Sequence, residues 1–559
     1  MKNFTKLTMA AALAAVSFGS SAATQLSTNN LGDMAIVPYY TVRGDYSTGL
    51  HIINTSGNTQ VIKIRLRRAL DSMDALDFNL IMSPDDEWTA FLGKDKEGRV
   101  TLNTGDTTCT APEIFNNTIV MPELYSKDAD TGYIEVIGMG SATPDQPISV
   151  AALHADGVPA DCEAVRSNFF ANNSKYNKPV GDVTRRGVLS SVQTNQTTET
   201  GVVTNSFGDT GDVLKVTYHY RNTVDGTEFG SNAVTFSGFM QDASITNQEF
   251  GVFDGDMQGF DFPDLNGGAP LSALNGIGGK RGKYEEIRDA IGGASVINDW
   301  STNTGPGFEV STDWVITFPG QYTMLDLPKY LASLQDEEKE CGLDCDYRDL
   351  TVTASFNVFD REERGIVTED GGLVISPAYG EQPQSTLLGK EVNVIEWGEA
   401  SVLDAPETTV VEVPDGAQNG WAELDVTSSV TNVQSICDFT NDVSAPVVCT
   451  PVDDVTAVPV LGFIAWKRIF ENANGANYGR IIDHSYSLPA GDVDAEEQPP
   501  VVEPPVVEPP VVEPPVVEPE GEGCNNGVGN GVDCQPPGNP PVNDGEGQGP
   551  GNPGNNPNS

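Results

Sequence analysis

The sequence predicts a mainly β protein: two to three immunoglobulin-like β-sandwich units, then a Pro-rich extended stalk and a disordered Gly/Asn/Pro tail. Three observations predict it. Apolar and polar residues alternate with period two over many short runs bounded by turn residues. Helical patterns are few. After Gly491 the composition changes, and paired prolines recur every five residues in VVEPPVVEPPVVEPPVVEPE. A sandwich takes roughly 100 residues or more, so a chain of 559 residues has room for more than one core.

Taken in order, residues 1–23 read as a secretory signal peptide. Lys2 and Lys6 are its basic start, Leu7 to Phe18 its short apolar run, and Ser21-Ala22-Ala23 its small cleavage residues. No later stretch reaches the roughly 18 apolar residues of a membrane helix, so no transmembrane segment is expected. Residues 24–180 are expected to form an N-terminal β-sandwich domain. Within it, GLHIIN and VIKIRLR are joined by TSGNT as a hairpin, with Ile62, Ile64 and Leu66 on one face and Lys63, Arg65 and Arg67 on the other. GYIEVIGMG and ISVAALH read as further strands. CEAVRSNFF reads as a helix with Asp161 as N-cap.

Residues 181–349 are expected to be a middle β-rich domain with short helices. DVLKVTYHY and TDWVITF supply strands, and KYEEIRDAI and DLPKYLASLQDEEKE supply helices. Residues 350–490 are expected to be a C-terminal β-sandwich domain. In LTVTASFNVF, Leu350, Val352, Ala354, Phe356 and Val358 alternate with polar residues, and EVNVIEW and PVLGFIAW follow as strands. Residues 491–520 are a Pro-rich linker of VVEPP repeats. About twenty residues of polyproline II at ~3.1 Å each span roughly 60 Å. Residues 521–559 are a low-complexity tail with one disulfide loop, too poor in apolar residues to build a core.

The formal charge of -49 repels nucleic acid, so none is expected as a partner. Eight cysteines in an exported chain predict disulfides. Short loops close at least entropic cost, which pairs Cys341 with Cys345, Cys437 with Cys449 and Cys524 with Cys534, and leaves Cys109 for Cys162. The acidic surroundings of CGLDC suppress a thiolate there, so Cys341 and Cys345 read as a structural bridge rather than a redox pair.

Catalytic signatures are missing from the sequence: there is no G-x-S-x-G, H-E-x-x-H or GxxxxGK. His51, His154, His219 and His484 read as strand residues, with His219 pointing away from Tyr218 and Tyr220. The protein is therefore expected not to be an enzyme. FDGDMQGFDFPDLNGG places Asp254, Asp256, Asp261 and Asp264 in a glycine-rich loop, which suits Ca2+ as the one candidate cofactor without completing an EF-hand. The stripe Lys63, Arg65, Arg67 and Arg68 has two readings. It pairs with an acidic neighbouring strand, or it is a self-association surface that meets an acidic patch on another copy.

Several phrases carry a resemblance: IVPYYTVRGDYSTGLHIINTS, LDFNLIMSPDDEW, GYIEVIGMG, STDWVITFP, VFDREE, EVNVIEW and GWAELDV. Together they resemble an uncharacterised group of secreted proteins of proteobacteria, presumed to sit at the cell surface. The resemblance covers Leu31 to about Tyr486 and implies an envelope or surface location. It implies no catalytic residue.

The expected function is that of an extracellular or cell-surface structural or adhesive protein of a Gram-negative bacterium. Its partners would be a cell-envelope or extracellular-matrix component, or copies of itself. Two alternatives remain. One is a periplasmic location. The other is a calcium-dependent carbohydrate-binding module or polysaccharide hydrolase, for which the six tryptophans offer stacking platforms.

Overall fold

Alternation builds two pairs of sheets, antiparallel throughout except where Thr408–Val411 runs parallel to Val392–Trp397. A computed structural model of the chain describes residues 24–72, 74–121, 126–167, 169, 188–189, 194–198, 201–205, 207–240, 243, 245–246, 263, 265, 286–287, 290–320, 352–362, 364–365, 384–398, 401–406, 408–426, 435–438, 448–451, 458–471 and 477–487. The chain divides after Gly491 into two units, and every described residue lies in the first.

The first pair of sheets comes from the N-terminal part. One sheet has seven strands, in the order Gln25–Leu26, Val234–Ser237, Met34–Thr41, Thr131–Ala142, Thr59–Arg68, Asp74–Met82 and Cys109–Ala111. Its partner has six: Thr227–Asn232, Leu214–Asn222, Tyr46–Asn54, Glu87–Lys94, Val100–Asn103 and Thr118–Val120. Ile62, Ile64, Leu66, Phe78 and Leu80 from the first sheet share a core with Leu50, Ile52, Trp88 and Leu92 from the second. Each such side chain contributes roughly 1.5–3 kcal/mol on burial.

The second pair is built the same way. Five strands run Gln384–Leu388, Val352–Asp360, Asn419–Asp425, Ser295–Ser301 and Ser485–Ser487. The other sheet runs Thr408–Val411, Val392–Trp397, Phe308–Thr317, Leu461–Phe470 and Tyr478–Asp483. Trp300, Trp314, Phe356, Trp397 and Ile464 fill the core between them. Of the expected inward set, Val352, Ala354, Phe356 and Val358 are buried, and Leu350 lies outside the described residues.

The two pairs join through the outer side of that last sheet. Val315, Val394, Phe463 and Ala465 belong to the core of the first pair, and Phe463 stacks on Tyr220 at 6.0 Å. Asp313, buried in Phe308–Thr317, accepts hydrogen bonds on Oδ2 from Ser401 Oγ (2.9 Å), Val402 N (2.9 Å) and Leu403 N (2.8 Å). Those bonds hold Val402 and Leu403 in the joint.

The mainly β architecture is as expected, but the sheets do not stop at the expected boundaries. Strands from 214–237 complete the first pair, across the boundary at 180/181. Ser295–Ser301 and Phe308–Thr317 lie in the middle of the second pair, across the boundary at 349/350. Strand pairing is non-local, and local alternation carries no information about partners. A seven-stranded sheet over a six-stranded one also exceeds the seven or nine strands of an immunoglobulin domain.

ISVAALH is not a strand. Pro147–Ala152 is a helix with Pro at its start, and Ile148 and Ala152 are buried four residues apart on one side. The second expected helix is present as Cys162–Ser167, and Asp161 Oδ1 accepts Ala164 N at 2.9 Å, as an N-cap should. Both helices cover Val61, Ile81 and Met139 on the far face of the seven-stranded sheet. The Cys109–Cys162 disulfide ties them there, as expected.

Candidate functional site

The basic stripe is not a surface. Lys63, Arg65, Arg67 and Arg68 are all buried, because the far face of the seven-stranded sheet is covered. Arg65 stands opposite Asp77, and Arg67 opposite Asp74. Arg65 Nη1 lies 2.6 Å from Asp74 Oδ2 and 3.7 Å from Asp77 Oδ2. Arg67 Nη1 lies 2.6 Å from Asp74 Oδ1, and its Nε 3.2 Å from Glu135 Oε1. Lys63 Nζ is 3.8 Å from Asp77, and Arg68 pairs with Asp71. Arg65 Nε also donates to the Pro263 carbonyl at 2.9 Å.

The self-association reading of these four residues is therefore corrected, since side chains inside the fold present nothing to another copy. Cross-strand pairing with an acidic neighbour is what the structure contains. Its signal stood in DALDFNL, where Asp77 and Asn79 alternate with Phe78 and Leu80 as Lys63 and Arg65 alternate with Ile62 and Ile64.

The histidines separate by environment. His484 is buried, with Nε2 3.1 Å from the Val315 carbonyl oxygen and Nδ1 3.0 Å from Asn298 Nδ2. Burial pushes its pKa down to about 3, so the imidazole is neutral. His154 Nδ1 lies 3.1 Å from Ser83 Oγ and 3.9 Å from Asp86 Oδ2. The residue types are those of a catalytic triad, but the arrangement is not. A triad holds the acid on Nδ1 and the hydroxyl on Nε2, whereas here both face Nδ1. Burial raises the Asp86 pKa. Its Oδ2 accepts from Ser83 N (3.2 Å) and Thr108 Oγ1 (3.2 Å), which ties two turns together.

His219 and His51 lie on the outer face of the six-stranded sheet. Tyr218 and Tyr220 are buried on the opposite side of their strand, so His219 points as expected. The two imidazole centres are 5.3 Å apart, with rings at 71°. Glycines flank His219 on both neighbouring strands, Gly49 and Gly230. An ideal Cβ on Gly49 would lie 1.9 Å from His219 Cε1, so only glycine leaves the ring its place. Glu87 Oε1 is 3.7 Å from His51 Nδ1.

Most tryptophans are core. Trp88, Trp300, Trp314 and Trp397 are buried. Trp466 is half-buried under the Arg480 guanidinium at 4.6 Å. Trp421 differs, with 42% of its surface exposed. It lies on the outer face of the five-stranded sheet, because Ala422 and Leu424 take the inner one. Its ring stacks on Phe359, directly opposite, at 4.5 Å and 21°. Asp299 is its neighbour on the other side, and Asn357 and Glu423 form the next row, 3.5 Å apart. The result is an aromatic platform edged by carboxylates and an amide. The sequence offered six tryptophans without distinguishing this one.

The candidate calcium loop, Asp254, Asp256, Asp261 and Asp264, lies outside the described residues, as do Cys341, Cys345, Cys524 and Cys534. Among the described residues no group of three or more His, Cys, Asp or Glu is placed to hold a metal ion. Cys437 and Cys449 stand opposite each other in the paired strands Ser435–Asp438 and Val448–Pro451. No helix among the described residues is long and apolar enough to cross a membrane. Comparison with protein-family models, with curated proteins and with solved structures gave no match.

Proposed function

We propose that the chain is a non-enzymatic extracellular or cell-surface adhesive protein, and that it holds polysaccharide on the Phe359–Trp421 face. The observation that carries this reading is the exposed Trp421 ring stacked on the half-buried Phe359 on the outer face of the five-stranded sheet. The apolar C–H face of a pyranose packs on such rings, while Asp299, Asn357 and Glu423 offer hydrogen-bond partners to its hydroxyls. The Cys109–Cys162 bridge supports an oxidising compartment outside the cytoplasm. The VVEPP repeats would act as a spacer for this adhesive part, in keeping with the resemblance to secreted surface proteins of proteobacteria.

A glycan array probed with the wild-type chain and with Trp421→Ala, each with and without EDTA, tests it. Binding to one or more polysaccharides that Trp421→Ala abolishes is the expected result. Loss of binding in EDTA would add the calcium dependence of the carbohydrate-binding alternative. Binding by neither protein, or equal binding by both, would overturn the assignment of this face.

A further inference from the structure

We propose that His51 and His219 together bind one divalent transition-metal ion of the zinc or copper class on the outer face of the six-stranded sheet. This site is separate from the aromatic face in the other pair of sheets.

The geometry fits a shared ion. With metal–nitrogen distances of about 2.0–2.1 Å, two imidazoles on one tetrahedral ion have ring centres roughly 5 Å apart. The two rings here are 5.3 Å apart. Water completes the coordination, because no third His, Cys, Asp or Glu joins them among the described residues.

The ring position is built rather than incidental. His219 lies over Gly49, where any Cβ would collide with it. On the other side Gly230 keeps the backbone close, since a Cβ there would lie 2.7 Å from His219 Cβ. Neither imidazole makes a hydrogen bond within the protein among the described residues. The Glu87 carboxylate stands 3.7 Å from His51 Nδ1. At that separation Glu87 is a charged neighbour of His51 and not the hydrogen-bonded carboxylate that usually orients a ligating imidazole.

Calorimetric titration of the disulfide-intact full chain with Zn2+ and with Cu2+, in excess Mg2+ to occupy the many carboxylates, tests the proposal. Wild-type protein should bind one equivalent tightly. His51→Gln and His219→Gln should each weaken that event at least tenfold, with unchanged thermal unfolding in the absence of metal. Gly49→Ala should weaken it as well, although both histidines remain. No such binding event, or one that both histidine substitutions leave unchanged, would overturn the site.

Discussion

Replacing Asp74 with asparagine should unfold the first pair of sheets at a much lower denaturant concentration. Asp74 sits between two guanidinium groups, with Nη1 of Arg65 and Nη1 of Arg67 each 2.6 Å away, and all three side chains are 0–1% exposed. In these contacts four cations meet four carboxylates. The amide keeps the shape of the side chain but removes one negative charge from between two positive ones. Its NH2 must also face a donor, or its single carbonyl must serve both arginines. Removing one partner of a buried pair costs about 3–5 kcal/mol, most of it from stranding the other charge. A balanced replacement, Arg65→Met with Asp74→Leu, leaves Arg67 beside Glu135 and Lys63 beside Asp77. It should lie much closer to wild type. The assay is urea unfolding read by hydrogen exchange of peptides spanning Thr59–Arg68. Glu97→Gln, in an exposed pair with Lys96, serves as the control that should not move. If Asp74→Asn costs about 1 kcal/mol or less, as exposed pairs do, the reasoning about this buried layer fails.

Three further outcomes are expected. Burial raises the carboxyls of Asp33 and Asp313 from 3.8 to about 7 against the pull of their backbone donors. The folded chain therefore binds more protons than the unfolded one between about pH 4 and 7, so this contribution to stability is present in acid and lost as pH rises. Urea midpoints from pH 4.5 to 7.5 should show that fall, and Asp33→Asn with Asp313→Asn should flatten it; an unchanged slope would refute it. Peptide mapping without reduction should recover Cys109–Cys162 and Cys437–Cys449 as separate cross-links, and a crossed pairing would refute the register argument for the second. Removing the first bridge, which spans 53 residues, should cost about 4 kcal/mol and loosen the helices Pro147–Ala152 and Cys162–Ser167.

By itself the sequence determined what depends on neighbours along the chain. Period-two alternation specified the strands Thr59–Arg68, Leu214–Asn222 and Val352–Asp360, and which of their residues face inward, because successive side chains on a strand alternate sides. Asp161 as an N-cap was legible for the same local reason. Where a short apolar run fits two periods, as in ISVAALH, the sequence misled, and the packing of Ile148 and Ala152 settled the helix.

Tertiary structure decided everything that depends on what lies across a sheet. Alternation marks one polar face of Thr59–Arg68 but not whether that face meets water, and chain from distant positions covers it. For that reason a stripe that reads as a surface is an interior ion-pair layer. Trp421 and Trp300 are the same residue to a sequence, yet one side of a sheet is open and the other is core. The pairing of His219 with Gly49 and Gly230 likewise arises from strand partners separated by up to 170 positions in the chain (49 and 219). Strand partners and covered faces are settled by burial summed over the whole fold, and no local pattern carries that sum.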